Sequence, residues 1–310
     1  MPDRRFPGRA TTLPLTLIVP THGRQELLNR ALASVARQSA RPSEVLVIDD
    51  GSEPPISIDA QICNALDVRL IRHAANKGAA AARNSGMRAA ANEWVTFLDS
   101  DDQFLDDTLS LRWTAATRGE PVPADPSVVH GCGWIDVDES GRPLTVRRPR
   151  GASAPAAFAS GCWFSPGSCV ILNARAALEI APQDESLRRF EDYDWFLALA
   201  LRGFSLRTIP DECVAIERVR RQDPRRVAEA VAMLRSKWRN LTRDPATLRR
   251  IDAYLDLEIA AAHYFAGSRL RAACALASSY LNAPRLSLHL SPGWTMERRA
   301  SSLDLPGQTP

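Results

Sequence analysis

The first hundred residues alternate repeatedly between a short apolar run, a polar loop and a helix-forming segment. The apolar runs, rich in residues typical of buried strands, stand at 15–19, 44–48, 68–71 and 94–98. Segments with helical character follow the first and third runs, at 25–37 and 79–91. This rhythm predicts a mainly parallel sheet with helices on both faces. Ligands of such sheets collect at the carboxyl ends of the strands, here the loops with Thr21, Asp50, Asn76 and Asp99.

The fourth run ends in carboxylates at three of four successive positions, Asp99, Asp101 and Asp102. Their mutual repulsion at the end of a buried strand calls for a cation or hydrogen-bond donors among them. Mg²⁺ or Mn²⁺ typically takes one or two such carboxylates together with substrate phosphates. The alternative is a solvated acidic turn in which an aspartate caps the next helix.

Composition and charge are those of an ordinary globular protein. The chain is 45% hydrophobic and 24% charged, and its formal charge of +3 is too small to indicate a nucleic-acid partner. No stretch approaches the roughly 18 apolar residues of a spanning helix, which predicts a cytoplasmic protein. The arginine-rich stretch 142–150 is a candidate for peripheral contact with the inner face of a membrane.

The second half of the chain loses the parallel rhythm. A long strand is predicted at 128–137, an irregular aromatic loop at 161–167, and a helix with an acidic first turn at 191–201. Beyond 219 only amphipathic helices are predicted, and they are a candidate surface for homo-oligomerisation. The expected division is a disordered tail (1–13), an α/β domain (14–218), a helical region (219–290) and a loose tail (291–310).

Five short motifs occur in chain order: IVPTHGR at 18–24, VIDDGS at 47–52, NKG at 76–78 with ARNSG at 82–86, FLDSDD at 97–102 and EDYDW at 191–195. Together they resemble the family 2 glycosyltransferases of the GT-A fold, over roughly residues 14 to 216. The resemblance implies an α/β architecture of the nucleotide-diphospho-sugar transferase type. The helices after 219 lie outside it.

The resemblance also implies an activity, of hexosyltransferase type. A sugar would pass from a nucleotide-sugar, usually UDP-linked, to an acceptor hydroxyl with inversion at the anomeric carbon. Asp99-Ser100-Asp101 is similar to the DxD motif that binds Mg²⁺ or Mn²⁺, with Asp101 on the metal and Asp99 on the metal or the ribose. Asp50 would accept the uracil N3–H, and the nucleoside pocket would be lined by Pro20, Thr21 and Arg24.

The remaining motifs supply the other site residues by the same resemblance. Asn76 would bring backbone close to the nucleotide, and Arg83 would reach the ribose or the diphosphate. Asp192 matches the general base, which takes the proton of the acceptor, and Glu191 would orient it or hold the acceptor. The aromatic loop would form the acceptor pocket. Helix capping is the alternative explanation of the acidic pair.

Two departures from the family pattern bear on these roles. Many members carry an arginine where Ala198 stands, with Arg202 one turn later as a substitute here. Many also carry a metal-binding histidine after the last strand, and none occurs near Glu217. The sequence leaves open a degenerate nucleotide-sugar-binding module, or a nucleotidyltransferase of related fold. It also leaves open the donor sugar, and a glycan, a lipid-linked or a protein acceptor.

Overall fold

The computed structural model describes residues 10–217 and 223–284. The strands in these residues are β1 Thr11–Thr21, β2 Ala40–Asp49, β3 Val68–Arg72, β4 Trp94–Phe97, β5 Gln103–Phe104, β6 Val128–Val137, β7 Pro143–Arg147, β8 Val170–Asn173 and β9 Ser205–Glu217. The helices are α1 Gln25–Ala36, α2 Ala60–Ala65, α3 Ala79–Ala89, α4 Thr108–Thr117, α5 Pro155–Ala159, α6 Ala174–Ile180, α7 Glu191–Ala200, α8 Pro224–Leu241, α9 Pro245–Phe265 and α10 Arg269–Asn282.

One sheet joins all of these strands, in the order β3-β2-β1-β4-β8-β6-β9-β5, with β7 paired to β6. The strands β3, β2, β1 and β4 are parallel, which is the predicted doubly covered half. Antiparallel pairs begin at β8, which lies between β4 and β6. The sheet is therefore mixed, and the predicted α/β fold class with helices on its faces is confirmed.

The first strand begins earlier than the sequence predicts. Thr11 and Thr12, inside the segment expected to be disordered, pair in parallel with Ala40 and Arg41 of β2. Pairing with an existing strand supplies hydrogen bonds that local composition does not reveal. Residues 1–9, 218–222 and 285–310 lie outside the described residues. They include the first nine residues of the expected N-terminal tail, the expected boundary at 218 and the whole expected C-terminal tail.

Two apolar cores sit on the two faces of the sheet. One packs α1 and α4 against the sheet, and the other packs α3, α6 and α7 together with α8 and α9. Leu234 of α8 and Leu255 of α9 are fully buried in the second core, each contributing about 1.5–3 kcal/mol of burial free energy. The C-terminal helices thus share a core with α7.

A polar contact fastens α8 to α7. Asp194 of α7 is 2% exposed, and it accepts hydrogen bonds from Lys237 Nζ at 2.6 Å and from Trp238 Nε1 at 3.0 Å. Lys237 also reaches Asp184 at 2.7 Å. Burial raises the pKa of Asp194, and Lys237 opposes that rise. The buried carboxylate therefore depends on α8 for its counterion.

The sequence predicts two contact surfaces, one for a membrane at the arginine-rich stretch and one for a second copy of the chain at the C-terminal helices. In the arginine-rich stretch, Arg142, Arg147 and Arg148 each pair with a carboxylate, so less free positive charge faces outward than the sequence indicates. On α10, Leu270 and Leu281 are exposed. Membrane contact and oligomerisation both stay predictions. None of the helices in the described ranges has the length and apolar character to cross a bilayer.

Candidate functional site

A cleft of about 360 Å³ lies at the carboxyl ends of β1, β2 and β4. All but one of the predicted site residues line it: Pro20, Thr21, Arg24, Asp50, Asn76, Arg83, Asp99, Asp101 and Glu191. The exception, Asp192, is tied to this wall by a hydrogen bond from Arg83. The parallel strands deliver residues that are far apart in sequence to one edge of the sheet.

Asp50 organises the loop on one side of the cleft. Its Oδ1 accepts hydrogen bonds from His73 Nδ1 at 2.7 Å and from the amide of Lys77 at 2.9 Å, and its Oδ2 accepts from the amide of Gly78 at 2.7 Å. A carboxylate oxygen has two lone pairs, so Oδ2 retains one acceptor position. The structure therefore gives Asp50 a loop-shaping role that the sequence did not reveal, and leaves room for the predicted one.

Arg83 joins three carboxylates. Its Nη2 donates to Asp99 Oδ1 at 2.8 Å, its Nη1 donates to Asp192 Oδ1 at 2.9 Å, and Nη1 lies 3.6 Å from Glu191 Oε1. The residue is only 4% exposed. Burial by itself would lower the pKa of Arg83, but the carboxylates of Asp192, Asp99 and Glu191 raise it above its usual range. The guanidinium is therefore a permanent positive charge between the two acidic motifs.

Asp192 has the properties of a base that works near neutral pH. Burial raises its pKa to about 7; Arg83 counteracts this, and the charges of Glu191 and Asp99 add to it. The side chain keeps 27% of its surface exposed, so a solvent-borne group can reach it. Phe190 precedes α7 and no side chain caps the helix, which argues against capping as the role of the acidic pair.

The three aspartates of the acidic turn divide into two roles. Asp101 pairs with Arg24 across the cleft mouth, and Asp99 pairs with Arg83. Asp102 faces inward at 4% exposure, accepts Ser168 Oγ–H at 2.5 Å, and has its pKa raised by burial and by Asp99. Only the first two carboxylates are thus available to a ligand.

The donor set fits a divalent cation that shares its ligands with a substrate. No cluster of three histidine, cysteine or acidic side chains suited to a metal occurs within residues 10–217 and 223–284. Mg²⁺ commonly needs only one or two carboxylates when phosphate oxygens complete its shell, and Asp99 and Asp101 would supply them. Each is currently neutralised by an arginine.

The loop before β8, from Trp163 to Ser168, is the segment that the resemblance assigned to the acceptor pocket. Trp163 and Phe164, predicted to line an acceptor pocket, are buried in the core beside Phe158. The loop reaches the cleft instead through Ser168, whose Oγ accepts the amide of Asp99 at 3.0 Å, and through Gly167. A Cβ on Gly167 would lie 2.2 Å from Asp99 Oδ2, so any larger residue there would displace the Asp99 carboxylate.

Two arginines also differ from expectation. Arg188, which no motif includes, donates to Asn76 Oδ1 at 3.0 Å and lies over the loop at Gly78. The only sequence signal for it is a basic residue shortly before the Glu191-Asp192 pair. Arg202, considered as a substitute for the missing family arginine, follows the end of α7 and is exposed.

The sequence of the chain is similar to that of a known protein family and of curated proteins. The profile described as Glycosyl transferase family 2 matches residues 16–176. A curated relative, the pre-mycofactocin glycosyltransferase of Mycobacterium tuberculosis, is 26% identical over 226 residues, covering 68% of this chain and 44% of the relative. The chain thus spans less than half the length of that relative.

Two solved structures share the fold. TarS from S. aureus in complex with UDP has a TM-score of 0.55 and 18% identity, covering 89% of this chain and 90% of that one. The mannosyltransferase PcManGT from Pyrobaculum calidifontis, in complex with GDP-Man and Mn²⁺, has a TM-score of 0.51 and 19% identity, with 92% and 84% coverage. At these identities the likeness is one of fold alone, and it agrees with the GT-A architecture expected from the motifs.

Proposed function

The chain belongs to glycosyl transferase family 2, and from that premise we propose that it moves a sugar from a UDP-sugar to an acceptor hydroxyl with inversion at the anomeric carbon. The observation that carries the proposal is the pair of contacts made by Arg83. One guanidinium binds Asp99, of the motif proposed for the donor, and Asp192, the proposed base. Donor and acceptor chemistry would therefore meet within one cleft.

The donor side is proposed to hold the nucleotide and its diphosphate. The free acceptor position of Asp50 suits a uracil N–H, and Thr21 and Pro20 line the same part of the cleft. Asp99 and Asp101 would hold Mg²⁺ or Mn²⁺, which when bound neutralises the departing diphosphate. Arg24 keeps 51% of its side chain exposed, so it can turn from Asp101 to a phosphate oxygen.

The acceptor side is proposed to use Asp192 as the general base. The acceptor oxygen attacks the anomeric carbon, its proton passes to the carboxylate of Asp192, and the bond to the diphosphate breaks on the opposite face. A pKa of about 7 makes Asp192 a stronger base than an ordinary aspartate. Arg83 keeps its ionised form oriented, and Glu191 adds a second carboxylate on the cleft wall.

The donor is identified by measuring thermal stability with a panel of nucleotide-sugars, each with and without Mn²⁺. A ligand that binds only the folded state raises the melting temperature, and at a hundredfold excess over Kd it stabilises by about 2.7 kcal/mol. We expect UDP-sugars to give the largest shift, with Mn²⁺ increasing it. GDP-mannose and UDP without a sugar are the matched comparisons.

The same samples separate the proposal from its alternatives. Release of UDP with an acceptor alcohol present supports transfer. A bound donor that is never consumed would indicate the degenerate binding module, and pyrophosphate release from a nucleoside triphosphate with a sugar phosphate would indicate a nucleotidyltransferase. A protein that ignores every nucleotide-sugar would contradict the proposal altogether.

Gly167→Ala is expected to reduce transfer about a hundredfold while the protein stays folded. The new methyl group would lie 2.2 Å from Asp99 Oδ2 and 3.2 Å from Arg83 Nη2. The Asp99 carboxylate must therefore leave the position in which it is proposed to bind the donor. A displacement near 1 Å at a reacting centre costs a factor of this order. Initial rates at saturating donor measure it.

Gly203→Ala is the control for Gly167→Ala. Gly203 has φ of +96°, so alanine strains its backbone, but no atom stands within 4 Å of the added carbon. We expect it to lower the melting temperature and leave the rate within about twofold. Equal losses of rate in both variants would mean that Gly167 acts through general stability.

A further inference from the structure

A second cavity, of about 100 Å³, is lined by α4, β6 and β9. Its wall contains Arg112, Arg118, His130 and Arg207, and none of its lining residues lines the cleft described above. The space is several times the ~30 Å³ that one water molecule occupies in the liquid. It is thus large enough for a small polyatomic ligand.

Arg112 brings a buried guanidinium group to this cavity. It is 3% exposed, its Nη2 donates to Thr96 Oγ1 at 3.0 Å, and its guanidinium lies 5.0 Å from the centre of the Phe104 ring. Its Nη1 is buried with no hydrogen-bond partner, and no ion pair to Arg112 occurs among the described residues. Burial would raise the pKa of Cys132, but the Cys169 and Cys213 thiols and the charge of Arg112 lower it. An unpartnered buried N–H is nevertheless costly, so Nη1 favours a bound anion as its acceptor.

The other lining groups add to the positive potential. Arg118 and Arg207 are exposed, and both act on His130, whose Nε2 is buried and unpartnered. Burial first, and then the two arginines, lower the pKa of His130 to about 4, with Asp125 opposing them. Asp125 is the one carboxylate acting on His130 in this set, against the two guanidinium groups of Arg118 and Arg207.

We propose that this cavity binds a tetrahedral oxyanion, either inorganic phosphate or the phosphoryl group of a monoester. The lining contains three guanidinium groups and no carboxylate, which favours a negatively charged ligand. Arginine forks and an imidazole N–H donate to several oxygens at once, and a tetrahedral oxyanion presents oxygens in those directions. A single chloride ion would leave most of these donors unused.

The test is calorimetric titration of the whole protein at pH 7 and constant ionic strength. The arms are sodium phosphate, sodium sulfate, glycerol 3-phosphate and sodium chloride. We expect phosphate binding to weaken at least tenfold in Arg118→Gln/Arg207→Gln, whose two side chains are exposed and outside the proposed transfer site. Arg202→Gln/Arg226→Gln removes the same charge from exposed positions elsewhere and should bind phosphate as the wild type does.

A second readout reports the cavity itself. A bound anion favours protonated imidazole, so the NMR titration of His130 should move upward from a pKa of about 4 in phosphate and stay there in chloride. Stronger binding of glycerol 3-phosphate than of phosphate identifies a monoester ligand, and the reverse identifies the free ion. No heat with any oxyanion, or equal binding by both double variants, overturns the proposal.

Discussion

Asp192→Asn is expected to lower the rate of sugar transfer by two to four orders of magnitude while donor affinity stays within about twofold. Asparagine has the same size and keeps an oxygen that can accept from Arg83 Nη1, so the cleft keeps its shape. It cannot take a proton from an acceptor, and general bases contribute about 10²–10⁴ to the rate. Single-turnover rates and donor titrations on the same preparation measure the two quantities.

The pH dependence of the wild type gives a second measure of the same group. A general base acts in its ionised form, so with Asp192 in the proposed role log kcat/KM should rise as the pH increases toward a pKa near 7 and then level. Asp106→Asn changes an exposed aspartate outside the cleft and should leave the profile unchanged. Turnover that survives Asp192→Asn with an unaltered profile would place the base elsewhere.

Arg83→Gln is expected to lower the free energy of unfolding by about 3 kcal/mol at pH 8. Removing one partner of a buried ion pair typically costs 3–5 kcal/mol, and the lower end applies because Asp99 and Asp192 keep 35% and 27% of their side chains exposed. Glutamine also removes the link between the two acidic motifs, so transfer should fall with stability. Urea unfolding followed by fluorescence measures the change.

The loss in Arg83→Gln should depend on pH in a defined direction. Burial raises the pKa of Asp192 and Arg83 lowers it, so without the guanidinium that pKa rises further above its value in the unfolded chain. A folded state that holds protons more tightly loses stability as the pH rises through its raised pKa values. The difference from wild type should therefore be larger at pH 8 than at pH 5.

Arg88→Gln provides the matched control on the same helix. Arg88 is 54% exposed and lies 3.6 Å from Glu185, so its removal should cost less than about 1 kcal/mol. An equal loss in both variants, or a loss in Arg83→Gln that does not change with pH, would show that the charge of Arg83 is not what holds the acidic motifs together.

Local patterns predicted the half of the fold that is built from local units. The β1-α1-β2 and β3-α3-β4 repeats follow from apolar periodicity, and their strand ends delivered Thr21, Asp50 and Asp99 to one edge. The motif resemblance added Arg83 and Asp192. The resemblance could not show that the Arg83 and Asp192 side chains are in contact, because these positions are 109 residues apart in the sequence.

Contacts between distant segments explain the rest of the differences. Nothing around Asp102 in the sequence distinguishes it from Asp101. It is held inward by hydrogen bonds from Ser168, 66 residues away, and from the amide of Glu217, 115 residues away. The close approach of Gly167 to Asp99 and the unpartnered Nη1 of Arg112 likewise depend on how loops and helices pack. Thr11 and Thr12 looked unstructured because their partner strand begins at Ala40, almost thirty residues later.

The attachment of α8 to Asp194 has a consequence for engineering. Asp194 lies two positions after Asp192 on the same helical turn, and its counterion comes from Lys237, 43 residues further on. A version truncated before α8 would leave Asp194 without its counterion, close to the proposed base, and would uncover the apolar surface that Trp238 covers. Chimeras that exchange the C-terminal helices between relatives would therefore have to transplant this lysine-tryptophan pair along with them.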